Sequence, residues 1–585
     1  MGNIYLSISM RSILLYSLYN PLYRYGGYSY MAKYDAIVIG GGHNGLVAAC
    51  TLASKGLRVV VFERNRFLGG MASSPELWSG FRVPIGAYVI SLFRREIAED
   101  LGLFEKGLKI IPKDPGMSVF LDGGRILNIW SDAEKTAKEI SRYSERDAKT
   151  YLRWSRLWGF IGVILDSIYM SKPLALDETL ELLKRIIGIA KHGGESLLGY
   201  LEEASWILLS PASKVLDEYF ESEEVKAALV EDALVGEMIS PGTPGSSLLM
   251  AHHYVGNITG VRGQWGYVEG GMGMLSEILA KRCSELGVEI HLGVEVERIV
   301  VSRAGFVKGV IAGGKLYESW LVMSSADVRT TMLRLLDPEA DLDKDLVRRI
   351  KSLRGLGASS KIVVAVRDLP RLYGRYSGHE DLVYRSSAIT IPSIDYVEKA
   401  YSDALSEGIS RNPWISVNTQ SYVDRTIAPD GWHVISLFIQ YTSRKSPGNW
   451  DSGDREKLVE RTFSVLDNYY NGFGRRVERM LVITPRDIEE MFLNPGGNIF
   501  QISMTQDQLW SNRPARELSG YRTPIKGLYI CGSSAHPGGG VSGAPGYLCA
   551  MEALTDAGIA RRRSKYRNIL RLVRSFLAFR NPLSL

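Results

Sequence analysis

Residues 34–72 constrain this chain more than any other stretch, because strand, glycine turn, helix, second strand and acid follow one another there in a fixed order. Ala36 to Ile39 is a short apolar run ending in glycine, which suits a strand buried on both faces of a parallel sheet. Gly40, Gly42 and Gly45 then have G-x-G-x-x-G spacing. The first glycine makes a tight turn, the second lets backbone approach a pyrophosphate, and the third allows close packing of helix on sheet. A helix beginning near Gly42 aims its leading amides at that anion. Leu46, Ala49, Cys50 and Ala53 recur at helical spacing, Gly56 stops the helix, and 58–62 runs as a second strand into Glu63. Glu63 stands where an acid takes a ribose 2′-hydroxyl, so the pattern predicts a dinucleotide without a 2′-phosphate.

A second glycine pair, Gly69 and Gly70, followed by Met71 and Ala72, resembles the flavin-binding pattern of the glutathione reductase-like superfamily. The expected cofactor is therefore FAD. Its first contacts would be Gly40, Gly42, His43, Asn44, Gly45, Glu63, Arg64, Gly70, Met71 and Ala72.

At 585 residues the chain exceeds one ordinary core, and two or three structural units are expected. No run approaches the ~18 apolar residues needed to span a bilayer, so an integral membrane protein is not expected. Cys50, Cys283, Cys531 and Cys549 form no C-x-x-C pair and no metal spacing. They read as small buried hydrophobes, with neither a metal site nor disulfide exchange expected. The net charge of +6 comes from the ends: residues 561–580 are rich in Lys and Arg without an acid, and Arg11 and Arg24 stand alone before residue 31. The remainder is slightly acidic, which argues against a nucleic-acid partner.

Residues 1–33 read as a leader or a mis-assigned start, with Met31 as an alternative beginning. Residues 34–115 form the first cofactor segment, and 116–265 a helical substrate-side or cap region with long helices such as 174–189 and 215–230. Within it the apolar cluster 157–165 is either a buried helix, the wall of an apolar chamber or a membrane-dipping face. Residues 266–327 form a second glycine-bearing stretch of helix and strands. Gly271, Gly273 and Ser276 imitate a phosphate loop there, but no apolar strand precedes them, so that reading loses its physical basis. Residues 328–520 read as the substrate-side sheet and its excursions, with strands near 362–366 and 433–441. In residues 521–560 a strand runs into a glycine-rich turn and a helix. Bare amides at that helix start suit the anionic side of a reduced flavin ring. Residues 561–585 form a basic amphipathic tail.

With these stretches in hand the chain resembles the phytoene desaturase-like flavoproteins, within the amine oxidase and glutathione reductase-like superfamily. The likeness is greatest to the pyridine nucleotide-disulphide oxidoreductase domain-containing 2 group. It is carried by Gly-Gly-Gly-His-Asn-Gly at 40–45, Glu-Gly-Gly-Met-Gly at 269–273, Ser-Ala-Asp at 325–327, and Lys-Ile-Val-Val-Ala-Val at 361–366. Asn-Ile-Phe at 498–500, Asp-Gln-Leu at 507–509 and His-Pro-Gly-Gly-Gly-Val at 536–541 complete it. The resemblance implies an α/β fold, with a Rossmann-like FAD-binding domain assembled from three chain segments and a mixed α+β substrate domain. It would place Val296 beside the adenine, Gly532 and Ser533 at the diphosphate, and Gly540, Val541 and Ser542 by the flavin ring.

Flavin N5 accepts hydride, so such a protein must hold a C–H bond near N5 and tune the ring. The expected function is an FAD-dependent oxidoreductase acting on a C–C bond of an apolar, isoprenoid-like substrate. Two alternatives are an amine oxidase-like flavoenzyme and a non-catalytic FAD-binding, membrane-associated partner. Two catalytic candidates follow. Lys361 resembles the lysine that amine oxidase relatives hold beneath N5 through a water, against the plainer reading of a strand-edge lysine. His536, inside the glycine-rich turn, could act as acid or base, or could staple the loop. His252, His253 and His291 read as structural, and no metal ligands are found. In the tail, Tyr566, Ile569, Leu570, Val573, Phe576 and Leu577 share one helical face with arginines off it, which reads as a membrane-surface contact or, more plainly, as a face docked onto the chain's own body or a partner chain. The expected location is cytoplasmic with that peripheral contact, and homo-oligomers stay open.

Overall fold

The computed structural model describes residues 34–173, 195–443 and 450–560. The expected leader, the helix read over 174–189 and the basic tail 561–585 lie outside the described residues. The fold is mixed α/β.

Its first unit is built on a five-stranded parallel sheet in the order Leu528–Ile530, Leu321–Ser324, Ala36–Ile39, Val59–Glu63, Glu289–Leu292. The central three strands are apolar runs buried at every position. Burial on both faces is what a parallel sheet covered by helices demands. Neighbours in this sheet come from stretches hundreds of residues apart: Ile37 lies opposite both Val60 and Val322. Helix His43–Ala53 covers it with Gly273–Glu285 and Ala544–Asp556.

A strand does precede the false phosphate loop, contrary to the sequence reading. It is Gly266–Val268, and it pairs antiparallel with Ile110–Pro112, outside the parallel sheet. No strand end therefore delivers Gly271 and Gly273 to a pyrophosphate.

The second unit is a seven-stranded sheet in the order Arg479–Ile483, Ser359–Val366, His433–Thr442, Ile409–Asn418, Ser387–Ile389, Met117–Leu121, Arg125–Ile129. All pairings are antiparallel except that of Ser387–Ile389 with Met117–Leu121. The last two strands fall in the stretch read as helical from the sequence. Gly123 and Gly124, with φ of +74° and +78°, turn that stretch into a hairpin.

The helix Glu145–Tyr169 is capped by Ser144, whose hydroxyl accepts from the Asp147 amide at 3.0 Å. Leu157, Trp158, Ile161 and Leu165 are buried along it in a core shared with Val215 and Leu216. The 157–165 cluster is thus a buried helix face. The pattern at 215–230 is broken into two helices, Ala212–Tyr219 and Glu223–Leu229. Among the described residues no helix is long and apolar enough to cross a membrane, and no His/Cys/Asp/Glu group could hold a metal.

Candidate functional site

One elongated cavity runs from the first glycine turn to the face of the seven-stranded sheet. At its nucleotide end the turn is shaped by close approaches that only glycine permits. Gly40 has φ +92°, and a Cβ there would stand 2.5 Å from Ser325 Oγ. A Cβ on Gly45 would stand 2.0 Å from the Gly40 carbonyl oxygen, so the helix can start against the turn only without a side chain at that position. The helix His43–Ala53 has no side-chain cap and no acid in its first turn. Its leading amides are left for an external anion.

Glu63 lies on the cavity wall in a fixed orientation. The Gly41 amide donates to its Oε2 at 2.7 Å, and the Asn65 backbone amide and side chain donate to Oε1 at 2.8 and 3.0 Å. Burial raises its pKa against the pull of these bonds. His43, Asn44, Arg64, Gly70, Met71, Val296, Ser533, Gly540 and Val541 line the same cavity as Gly40 and Gly42. His43 Nε2 and Asn44 Oδ1 are buried there without a partner. Burial pushes the His43 pKa down to about 4, so its ring is neutral. Uncapped amides, a pre-oriented acid and orphaned polar atoms on one wall fit a dinucleotide.

Four expected contacts stand behind the wall. Gly45 packs on Gly40. A Cβ on Gly532 would meet the Ser325 carbonyl oxygen at 2.3 Å. Ala72 is buried, and its carbonyl accepts from Ser276 Oγ at 3.1 Å. The Ser542 carbonyl accepts from the Arg94 amide at 3.1 Å. His536, read from the sequence as an acid or base or as a loop staple, is also outside the cavity lining. Its Nε2 lies 3.2 Å from the Ile168 carbonyl oxygen, and its ring meets Tyr169 edge-on at 6.2 Å. Burial pushes its pKa down to about 4. It is the staple between the glycine-rich turn and the long helix.

Lys361 reaches the cavity from an interior strand, not from a sheet edge as in the plainer reading. Its Nζ donates to the Gly86 carbonyl at 2.5 Å and lies 4.6 Å from the centre of the Tyr88 ring. Burial alone drives its pKa well below the ordinary 10.5, toward the neutral amine. Tyr88, Ile90, Leu92, Phe438 and Phe500 give this end its apolar walls.

Sequence reasoning missed several residues that hold the site. Gln501, at φ +69°, donates from Nε2 to the Ser325 carbonyl at 3.0 Å and accepts from the Ser534 amide and hydroxyl at 2.6 and 2.8 Å. It clamps two cofactor segments together. Arg513 is fully buried and donates to the carbonyls of Ser533, Ser503, Gln508, Phe500 and Ile502. No spacing or motif announces either residue. His253 and Val235 close the far end of the cavity, and the His253 Nδ1 lies 2.8 Å from the Asp232 carbonyl oxygen. Burial raises the pKa values of Glu231 and Asp232. Nearby Lys113 donates to Asn418 Oδ1 at 3.0 Å and is pushed down to about 7 by burial.

The comparisons with known proteins agree with this geometry. The family described as NAD(P)-binding Rossmann-like domain matches residues 38–101. Pyridine nucleotide-disulfide oxidoreductase domain-containing protein 2 of Rattus norvegicus is 37% identical over 545 residues, covering 90% of this chain and 94% of the rat protein. One subunit of the limonene dehydrogenase of Castellaniella defragrans is 26% identical, covering 90% and 95%. The neurosporene-forming phytoene desaturase of Cereibacter sphaeroides is 24% identical, covering 91% and 96%. Among solved structures, an oxidoreductase from Methanosarcina mazei superposes with a TM-score of 0.55 at 18% identity, covering 89% and 99%. A redesigned putrescine oxidase does so with a TM-score of 0.56 at 16% identity, covering 89% and 99%.

Proposed function

The chain belongs to the family of pyridine nucleotide-disulfide oxidoreductase domain-containing protein 2, an oxidoreductase line of the amine oxidase and phytoene desaturase superfamily, and from that premise we propose that it binds FAD and dehydrogenates or saturates a C–C bond of an apolar, isoprenoid-like substrate. The observation that carries this reading is the buried Lys361 on an apolar wall of the same cavity that holds the glycine turn. Two relatives bear the names of enzymes acting on limonene and on phytoene. Both names denote apolar isoprenoids.

FAD, when bound, supplies the hydride acceptor at flavin N5. The leading amides of His43–Ala53 and the Glu63 carboxylate would hold its diphosphate and ribose. Val296 would border the adenine, and the uncapped start of Ala544–Asp556 would favour negative charge on the ring. Tyr88, Phe438 and Phe500 exclude water from the substrate end. Converting a saturated C–C bond to an alkene releases one proton with each hydride. Lys361 Nζ, with one N–H engaged by the Gly86 carbonyl, keeps a lone pair to take that proton.

A second reading, oxidation of an amine, draws on the carboxyl groups of Glu231 and Asp232 near the His253 end of the cavity. Anaerobic bleaching of the flavin with a panel of polyprenoids and amines separates the readings. Bleaching by polyprenoids alone supports the first, bleaching by amines alone the second, and bleaching by neither favours a non-catalytic flavoprotein. Purified protein without flavin absorbance would sink all the flavin-dependent readings. The same proposal has the basic tail 561–585 bring the enzyme to a membrane surface, where apolar substrates gather. Equal liposome flotation of the full chain and of a chain ending at Ala560 would remove it.

A further inference from the structure

Cys50, Cys283, Cys531 and Cys549 are all buried. Cys50, on helix His43–Ala53, and Cys283, on helix Gly273–Glu285, are 233 residues apart in sequence, yet their sulfurs lie 2.6 Å apart. That is closer than two unbonded sulfur atoms pack. It approaches the bonded distance of about 2.05 Å. Neither of the two lines the cavity.

The pair is placed where a covalent tie would matter, because it would join the cofactor segments 34–115 and 266–327, which have no local connection. We propose that Cys50 and Cys283 form a structural disulfide bond that binds these two separated segments of the nucleotide unit to one another. Sequence spacing could not reveal a pair made by tertiary contact. The inference rests on the fold and is independent of the substrate.

The bond forms when the two thiols give up two electrons and two protons to a small-molecule disulfide, such as oxidised glutathione, which is reduced to two thiols. The bond is a tie and not an exchange catalyst, because both cysteines are buried away from solvent. A cross-link stabilises by restricting the unfolded chain, more so for a long loop such as this one.

The test uses the full chain, incubated with oxidised glutathione, denatured without reductant and alkylated with N-ethylmaleimide. Alkylation should spare Cys50 and Cys283 before reduction and reach both after it, and a non-reduced peptide map should hold the Cys50–Cys283 peptide. Alkylation of Cys50 and Cys283 before reduction, or either one cross-linked to another cysteine, would overturn the proposal. A second readout uses the Cys50→Ala/Cys283→Ala variant. Reductant should lower the Tm of the wild type by several degrees and that of the variant by less, with flavin retained in both. Equal Tm shifts would overturn the structural role of Cys50–Cys283.

Discussion

The two ends of the cavity are built by opposite means. At the nucleotide end the chain works mainly with backbone: an uncapped helix start, a glycine turn and one acid held by neighbouring amides. At the substrate end it works with side chains whose chemistry is set by surroundings, above all the desolvated Lys361. The first end leaves no room for an added carbon at Gly40 or Gly45. Lys361 would be an ordinary lysine on a surface strand.

The largest expected effect tests the substrate end. Lys361→Met keeps the volume and removes the amine, so flavin content should hold while the rate of flavin reduction by substrate falls about 10²- to 10⁴-fold, the usual worth of a positioned proton acceptor. Its pH profile gives the sign. The amine accepts a proton only when neutral, so the wild-type rate should rise with pH through a value well below 10.5, and that limb should vanish in the variant. An unchanged profile would show that Lys361 is only packing.

Arg513→Met breaks the comparison from the other side. It strips several carbonyls, including that of Ser533 on the cofactor wall, of a buried cation. Removing one partner of such a buried charged network costs about 3–5 kcal/mol, so the melting temperature should fall and flavin should be lost with it. Flavin retained at full stability would mean that the nucleotide end stands on backbone alone.

A pair of smaller changes sharpens the backbone half. Gly45→Ala forces a carbon to within 2.0 Å of the Gly40 carbonyl oxygen, whereas at Gly42 the nearest atom to an added carbon is 3.9 Å away. The first should lose stability by about 1–3 kcal/mol, as overpacking does. The second should fold normally and lose flavin, because its methyl group enters the cavity. Thermal melts and flavin absorbance separate the two. The smallest effect is expected for His536→Ala, which removes one hydrogen bond to the Ile168 carbonyl worth about 1 kcal/mol. It should lower the melting temperature slightly and leave the rate of flavin reduction unchanged.

Legibility in the sequence followed the same divide. The strand, turn, helix and acid of residues 36–63 stand as read, because each step is decided by residues a few positions apart. Lys361 was found only by resemblance, and its desolvation was not legible at all. Tyr88, Gly86 and Phe438 surround it through the fold and leave no trace in spacing. Gln501 and Arg513 escaped for the same reason: their work is to bridge loops that the sequence keeps apart. At His536 the sequence left acid/base chemistry and a loop staple both open, and the Ile168 carbonyl is the contact that the fold supplies.

The nucleotide turn, the strands that flank it and the acid beyond it follow from the order of neighbouring residues, since backbone geometry and hydrogen bonds within a few positions decide them. Which side chains share the cavity, which lysine is desolvated and which cysteines meet follow from the fold. Those depend on desolvation and contact between segments that folding alone brings together.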